Sequence, residues 1–312
     1  MSIEQNMIEV EHLAKAYGTF EALRDVSFQV KRGEILGFLG PNGAGKTSTM
    51  RILTGFMPPS AGTARVAGYD VFAQSLEARR RIGYLPETVP LYTEMTVYDY
   101  LDFCARLRGV ADPFHAIERV MEMTDIGERA ETIIGKLSKG FRQRVGIAQA
   151  LVHNPDVLIL DEPTIGLDPK QIIEVRKMIK ELGKEHTIIL STHILPEVSQ
   201  TCTRVLIINN GTIVAEDSPE RLASGDGRQQ LVHLQVAKPA PDIAAELEKV
   251  KGVLAVQKTA ADVFEIETTP DVDHRAEIAA CAVQRGWGVL EMRPVRLSLE
   301  DVFLKLTTKE EI

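Results

Sequence analysis

Long apolar runs are missing from this chain: no window of eighteen residues is free of charge and apolar, so no segment is expected to cross a bilayer as a helix. The opening MSIEQNMIEVEH is acidic and lacks the basic-then-apolar order of a secretory signal. Cysteine is scarce. Cys104, Cys202 and Cys281 lie about eighty to a hundred residues apart, an odd set without metal-ligand spacing, which reads as buried thiols in a reducing compartment. Basic charge is not in excess either: a net charge of −8 and an isoelectric point near 5.5 argue against a general nucleic-acid coat. Sustained internal repeats and low-complexity tracts are absent. These absences lead us to expect a soluble cytosolic protein, and 312 residues with 44% apolar content predict two packed domains.

What is present is concentrated in a few short stretches. The octet GPNGAGKT, Gly40, Pro41, Asn42, Gly43, Ala44, Gly45, Lys46 and Thr47, fits the phosphate-binding loop G-x-x-x-x-G-K-[ST] at every fixed position. EILGFLG before it reads as a buried strand and TSTMRILTG after it as a helix start, the context the motif requires. The glycines let successive backbone N–H groups curl around a polyphosphate, and the helix N-terminus adds partial positive charge. Lys46 reaches the β and γ phosphates, and the Thr47 hydroxyl is placed to ligate Mg²⁺. The chain is therefore expected to bind a nucleoside triphosphate.

Residues from about Met7 to Leu222 alternate strands and helices, the pattern of a layered α/β domain. IEVEHLAKAY and ALRDVSFQV read as antiparallel edge strands leading to the strand of the phosphate loop. A helical subdomain is expected over about 91–150, with TVYDYLDFCARLRG and PFHAIERVMEMTDI its clearest helices. VLILDEP, HTIILSTH and TRVLIINNGTIVAED supply further strands, and the continuous apolar runs suit strands buried on both faces. Polar, glycine-bearing ASGDGRQQ at 223–230 marks a linker. Over 231–312 the order restarts as β-α-β-β-α-β, the ferredoxin-like split unit, and SLEDVFLKLT closes the chain as a short helix capped by Ser298 with Asp301 three residues on. No catalytic constellation falls in this tail, which reads as a regulatory or dimer-stabilising module.

Two later stretches carry chemistry. Val157–Leu160 lead directly into Asp161 and Glu162. A carboxylate at the end of a buried strand beside the phosphate loop suits Mg²⁺ coordination, the role read for Asp161. Glu162, one residue on, points elsewhere and can accept a proton from an attacking water. Upstream lies LSKGFRQR, opening the helix VGIAQALVHN, where Ser138 and the Gly140 backbone can offer hydrogen bonds to phosphate. Taken alone, a serine N-cap explains this segment equally well.

In this order the motifs resemble the ATP-binding-cassette (ABC) ATPases, the nucleotide-binding subunits of membrane transporters. The family signature LSGGQ stands here as LSKGF; Tyr17 precedes the first hairpin, GYLPE ends at Glu87, GLDP spans Gly166–Pro169 and STH spans Ser191–His193. The resemblance covers about residues 7 to 222 and implies a P-loop cassette, a mixed sheet with an antiparallel edge subdomain and a helical subdomain, with ATP and Mg²⁺ as ligands. It further implies that Tyr17 stacks on adenine, that Gly43, Gly45, Lys46 and Thr47 hold the phosphates with Ser48 nearby, and that Glu162 is the general base. His193 would touch the γ-phosphate, and Asp168 would join the halves of a dimer. In this family the signature completes the partner's site, so two copies sandwich two ATP. A separate transmembrane permease subunit is implied, with this chain peripheral at the cytoplasmic face; no nucleic-acid partner is expected.

Three positions depart from the family pattern. Glu87 stands where a glutamine normally reaches Mg²⁺ and the attacking water; a carboxylate remains a hard oxygen ligand but donates no N–H. Lys139 replaces a signature glycine and reads either as added positive charge near the partner's γ-phosphate or as a solvated lysine. Phe141 replaces the signature glutamine. These substitutions, with the terminal SLEDVF, resemble the type-two exporters, a subfamily of multidrug, gliding-motility and sodium-export-like ATPases. The competing reading is a soluble ABC ATPase acting on DNA or ribosomes; such proteins carry a second cassette or a coiled-coil insertion, and neither a second phosphate loop nor heptads occur here.

Overall fold

The computed structural model describes residues 5–223, 230–269, 272–295 and 299–307. Two compact units divide between Pro219 and Glu220. The first begins with the hairpin β1 (Asn6–Tyr17) and β2 (Phe20–Lys31), then β3 (Ile35–Leu39), α1 (Lys46–Leu53), β4 (Ala61–Val66), β5 (Tyr69–Asp70), α2 (Ser75–Arg80) and β6 (Ile82–Leu85). Helices α3 (Val97–Leu107), α4 (Pro113–Met123) and α5 (Lys139–Leu151) follow and pack on one another. β7 (Val157–Asp161), α6 (Pro169–Leu182), β8 (Thr187–Thr192), α7 (Leu195–Thr201), β9 (Arg204–Asn209) and β10 (Thr212–Asp217) complete it, with α8 (Pro219–Ala223) at the division.

The strands form one sheet in the order β5-β4-β1-β2-β10-β9-β3-β8-β7-β6. β3, β6, β7, β8 and β9 pair in parallel, and every residue of β3, β7 and β8 is buried, as strands covered on both faces must be. β1, β2, β4 and β5 pair antiparallel, and much of β2 alternates buried and exposed positions. β1 and β2 are antiparallel, as the sequence suggests, but they are not the sheet's edge: β1 lies between β2 and β4, and the edges are β5 and β6. The apolar face of the hairpin is covered because Leu13, Leu23, Val26 and Phe28 join one core with Phe38, Met50 and Leu53. Helix α5 also starts earlier than its apolar pattern suggests, at Lys139, because Ser138 caps it by accepting from the Phe141 N–H.

Consecutive parallel strands bring their C-terminal ends to one side of the sheet, where ligands of open α/β sheets bind. The phosphate loop leaves β3, Asp161 ends β7 and Thr192 ends β8; β3 pairs β8, and β8 pairs β7. Asp161 sits opposite Ser191, and the Glu162 N–H donates to the Ser191 carbonyl at 2.8 Å. Sheet register thus brings together side chains more than a hundred residues apart in the chain.

The second unit holds β11 (Gln230–Val236), α9 (Ile243–Leu247), β12 (Val253–Lys258), β13 (Val263–Thr268), α10 (Arg275–Gln284), β14 (Val289–Val295) and α11 (Leu299–Thr307). Its element order through β14 is β-α-β-β-α-β, and the strands lie as β12-β13-β11-β14 with every neighbour antiparallel. Alternate residues Val232, Leu234, Phe264 and Ile266 form a core with Ile243, Leu247, Ile278 and Trp287. The expected cap at Ser298 and linker residues 224–229 lie outside the described residues.

Candidate nucleotide site

The loop after β3 closes tightly enough to exclude side chains. Gly45 has φ of +110°, and a Cβ there would lie 2.6 Å from a Leu23 methyl and 2.7 Å from the Ala22 carbonyl oxygen, so only glycine fits. Gly45 is also the N-cap of α1 and supplies no side-chain cap, so no side chain occupies the N–H groups at the helix start. Lys46 is buried. Its Nζ donates to the carbonyls of Gly40 at 2.7 Å and Pro41 at 3.2 Å and lies 3.7 Å from Glu162 Oε1. Burial pushes its ammonium below the usual lysine range, opposed by the charges of Glu162 and Asp161. An anionic phosphate entering the loop adds a counter-charge in the same sense.

Asp161 is fully buried at the end of β7. Its Oδ1 accepts from the Ser191 hydroxyl at 2.8 Å, while Oδ2 has no hydrogen-bond partner. Burial pushes this carboxyl up, opposed by the Ser191 hydroxyl. Glu162 takes a left-handed backbone with φ of +49°, a conformation costing on the order of 1 kcal/mol for a non-glycine residue. The turn breaks strand alternation, so Glu162 departs from Asp161 and faces His193 and Lys46. His193 Nδ1 lies 2.9 and 3.0 Å from the two Glu162 carboxylate oxygens, and since a carboxylate only accepts, Nδ1–H is the donor.

Tyr17, Asn42, Gly43, Gly45, Lys46, Thr47, Ser48, Glu87, Glu162 and His193 line one cavity of about 500 Å³. Phe20, Ala22 and Ile165 line it too, and sequence reasoning missed all three. The aromatic Phe20, close to Tyr17 in the hairpin and 60% exposed, was the available signal. Tyr17 is half exposed, and its hydroxyl lies 3.0 Å from the Met57 sulfur and 3.4 Å from Ser48 Oγ. Gly40 and Pro41 contribute the carbonyls that hold Lys46, and Ala44 is buried with its N–H donating to Pro41.

Ser138, Gly140 and Asp168 do not line this cavity. Asp168 is the N-cap of α6, accepting from the Gln171 N–H at 2.9 Å. Gly140 packs against the Gln171 side chain, and the Lys139 ammonium lies over Gly166, so a Cβ there would be 2.1 Å from Nζ. Lys139 therefore rests on its own GLDP segment. It also lines, with Glu87, Arg142 and Gln143, a cleft that shares Glu87 and Ile165 with the nucleotide cavity. Phe141 carries the Arg129 guanidinium 5.4 Å from its ring centroid, and Arg144 binds the Thr124 carbonyl, Asp125 and Glu174.

Comparison with known proteins agrees with this fold. Residues 23–165 match the family described as ABC transporter. An uncharacterized ABC transporter ATP-binding protein of Bacillus subtilis, YxlF, is 36% identical over 96% of this chain and 99% of its own length. The Nod factor export ATP-binding protein I of Burkholderia lata is 32% identical over 97% of each chain. A solved ATP-binding subunit of an ABC transporter superposes with a TM-score of 0.64 at 32% identity, covering 71% of this chain and 93% of that one. Among the described residues, no helix is long and apolar enough to cross a membrane.

Proposed function

The chain belongs to the ABC transporter family of ATP-binding proteins, and on that premise we propose that it hydrolyses ATP to drive a separate membrane subunit of an exporter, bound at the cytoplasmic face. The observation that carries the hydrolytic reading is the convergence of Lys46, Glu162 and His193 at one cavity, with a carboxylate-to-imidazole distance of 2.9 Å. Export as the direction is supported by the exporter name of one relative similar over its whole length.

In this reading the triphosphate lies on the uncapped N-terminus of α1, with Lys46 against the outer phosphates and Ser48 beside them. Tyr17 and Phe20, exposed at the cavity rim, offer faces for the adenine ring. Glu162 takes the proton of the attacking water, and His193 holds the carboxylate and contacts the γ-phosphate. The unpartnered Asp161 Oδ2 and the Thr47 hydroxyl are hard oxygen donors that fit Mg²⁺, and both residues line, with the carboxylate of Glu87, a cleft that shares Thr47 and Glu87 with the nucleotide cavity. When bound there, the metal supplies charge neutralisation of the phosphate oxygens. Ser138, Gly140 and Asp168, which do not line the chain's own cavity, serve the site of a second copy across a head-to-tail dimer. The second unit, whose sequence carries no catalytic motif, is a regulatory or dimer-stabilising module.

Glu162→Gln tests the core of this reading. The variant is expected to retain ATP binding, lose at least ~100-fold in turnover, and accumulate as an ATP-dependent dimer in size-exclusion chromatography. Turnover at the parental rate would remove Glu162 from the role of base.

A further inference from the structure

Glu197 on α7 is 1% exposed, faces no cavity lining described above, and yet is held by both catalytic loops. One of its carboxylate oxygens accepts from the Thr164 hydroxyl and the other from the Thr192 hydroxyl, the latter at 2.9 Å. Both threonines are buried. Thr164 lies two residues after Glu162, in a turn where the Ile165 N–H donates to the Glu162 carbonyl and the Leu167 N–H to the Thr164 carbonyl. That turn leads to Asp168. Thr192 immediately precedes His193, and its hydroxyl oxygen accepts from the Ile194 N–H at 3.1 Å, closing the turn that carries the histidine.

The Thr192 hydroxyl has one proton and two acceptors within reach: Glu197 at 2.9 Å and Glu162 Oε2 at 3.3 Å. Distance favours Glu197, which leaves Glu162 Oε2 to His193 and to water. Burying a carboxylate against hydroxyls rather than a cation is costly, and an apolar residue would pack α7 more cheaply. A neutral amide is not equivalent, because it presents one acceptor oxygen where two hydroxyl donors must be met.

From this geometry we infer that Glu197 is a positioning residue for the hydrolytic reaction, a buried clasp that ties the Glu162–Asp168 turn to the His193 turn through Thr164 and Thr192 and keeps the Thr192 proton off Glu162. The inference rests on Glu162 acting as the base. Its prediction is a loss of turnover without a loss of nucleotide binding, because Glu197 does not line the nucleotide cavity.

The test uses the full chain with Glu197→Gln, Thr192→Val, their double variant and Thr164→Val, reading ATP turnover, titration with a fluorescent ATP analogue, and thermal melting. Glu197→Gln is expected to lower kcat by about 10- to 100-fold with nucleotide affinity within about twofold of parental, as misplacement of a reacting group does. The double variant is expected to turn over no more slowly than Thr192→Val alone, since the tie between the two turns is already cut at Thr192 and a break at Glu197 cuts the same tie again. Thr164→Val, which leaves Glu197 in place, is expected to reproduce a kcat loss of the same order. Multiplicative losses in the double variant, parental turnover in Glu197→Gln, or a fall in nucleotide affinity matching the fall in kcat would each overturn the clasp. An inactive Glu162→Gln beside a parental Glu197→Gln would overturn the clasp alone; parental turnover in Glu162→Gln would overturn the base on which it rests.

Discussion

Helices α1 and α5 both begin in glycine-bearing loops, yet their N-termini are finished differently. At α1 the cap is Gly45, without a side-chain hydrogen bond, and the turn opens into a cavity walled by Lys46, Glu87, Glu162 and His193 of the same chain. At α5 the cap is Ser138, which turns its hydroxyl onto its own Phe141 N–H, while Gly140 is covered by Gln171 and Lys139 lies over Gly166. Ser138 itself remains exposed. The first terminus is surrounded by a buried ammonium, two carboxylates and an imidazole; the second is a surface set into the same chain's α6 start. Two helix dipoles of the same sign therefore do not make two sites. What separates them is whether strand ends deliver charged side chains to the same place, and β7 and β8 deliver them only to α1.

Removing the α1 side should give the largest effect. Lys46→Ala is expected to weaken ATP binding by about 100-fold or more, read by equilibrium titration, because a buried cation in the wall of the cavity is lost. A smaller effect is expected at α5: Ser138→Ala should leave ATP affinity within about threefold while lowering kcat roughly 10-fold, the order expected when an exposed hydrogen bond to a charged group is removed. Mixing the two variants sharpens the comparison. If each α5 serves the partner's α1, hybrids hold one intact site, and turnover rises severalfold above either variant alone; if α5 serves its own chain, mixing adds nothing.

The smallest expected effect is at the far end of α5. His153 lies just past the helix with its ring nitrogen Nε2 at 3.0 Å from the Ile82 carbonyl, and burial pushes its pKa down to about 4. The unfolded chain titrates this group near 6.5, so the unfolded state binds the extra proton first. Its contribution to stability is thus complete above about pH 6.5 and is lost as pH falls toward about 4. His153→Gln should make the fall in melting temperature between neutral pH and about pH 5 shallower, by a few degrees, corresponding to roughly 1–2 kcal/mol. An unchanged slope would mean that His153 is protonated without penalty in the fold.

Much of the fold was legible because its signals are local. β3, β7 and β8 read as strands from uninterrupted apolar runs, and the phosphate loop is one contiguous octet whose glycines answer to backbone conformation. The position of β1 and β2 inside the sheet was not legible, because strand order depends on which edges pair across long loops. Neither Ile165 nor Ala22 carries a chemical signal, so their place in the cavity wall follows from packing alone. Lys139 admitted two readings as sequence, added positive charge near a partner's γ-phosphate or a solvated lysine; in the fold it lies over Gly166, because that glycine leaves room for the ammonium.

What the sequence by itself determined was the set of chemical groups and the local backbone that each requires. Gly45 permits a loop that no other residue allows, and the carboxylates fall at the end of an apolar strand. Only the tertiary structure decided which of those groups meet. Parallel pairing of β3 with β8 and β8 with β7 carries Lys46, Glu162 and His193 to within a few ångströms, and α7 brings Glu197 beneath both turns. The reason is physical: hydrogen bonding and electrostatics at such sites depend on distance in space, and register, not sequence separation, sets that distance.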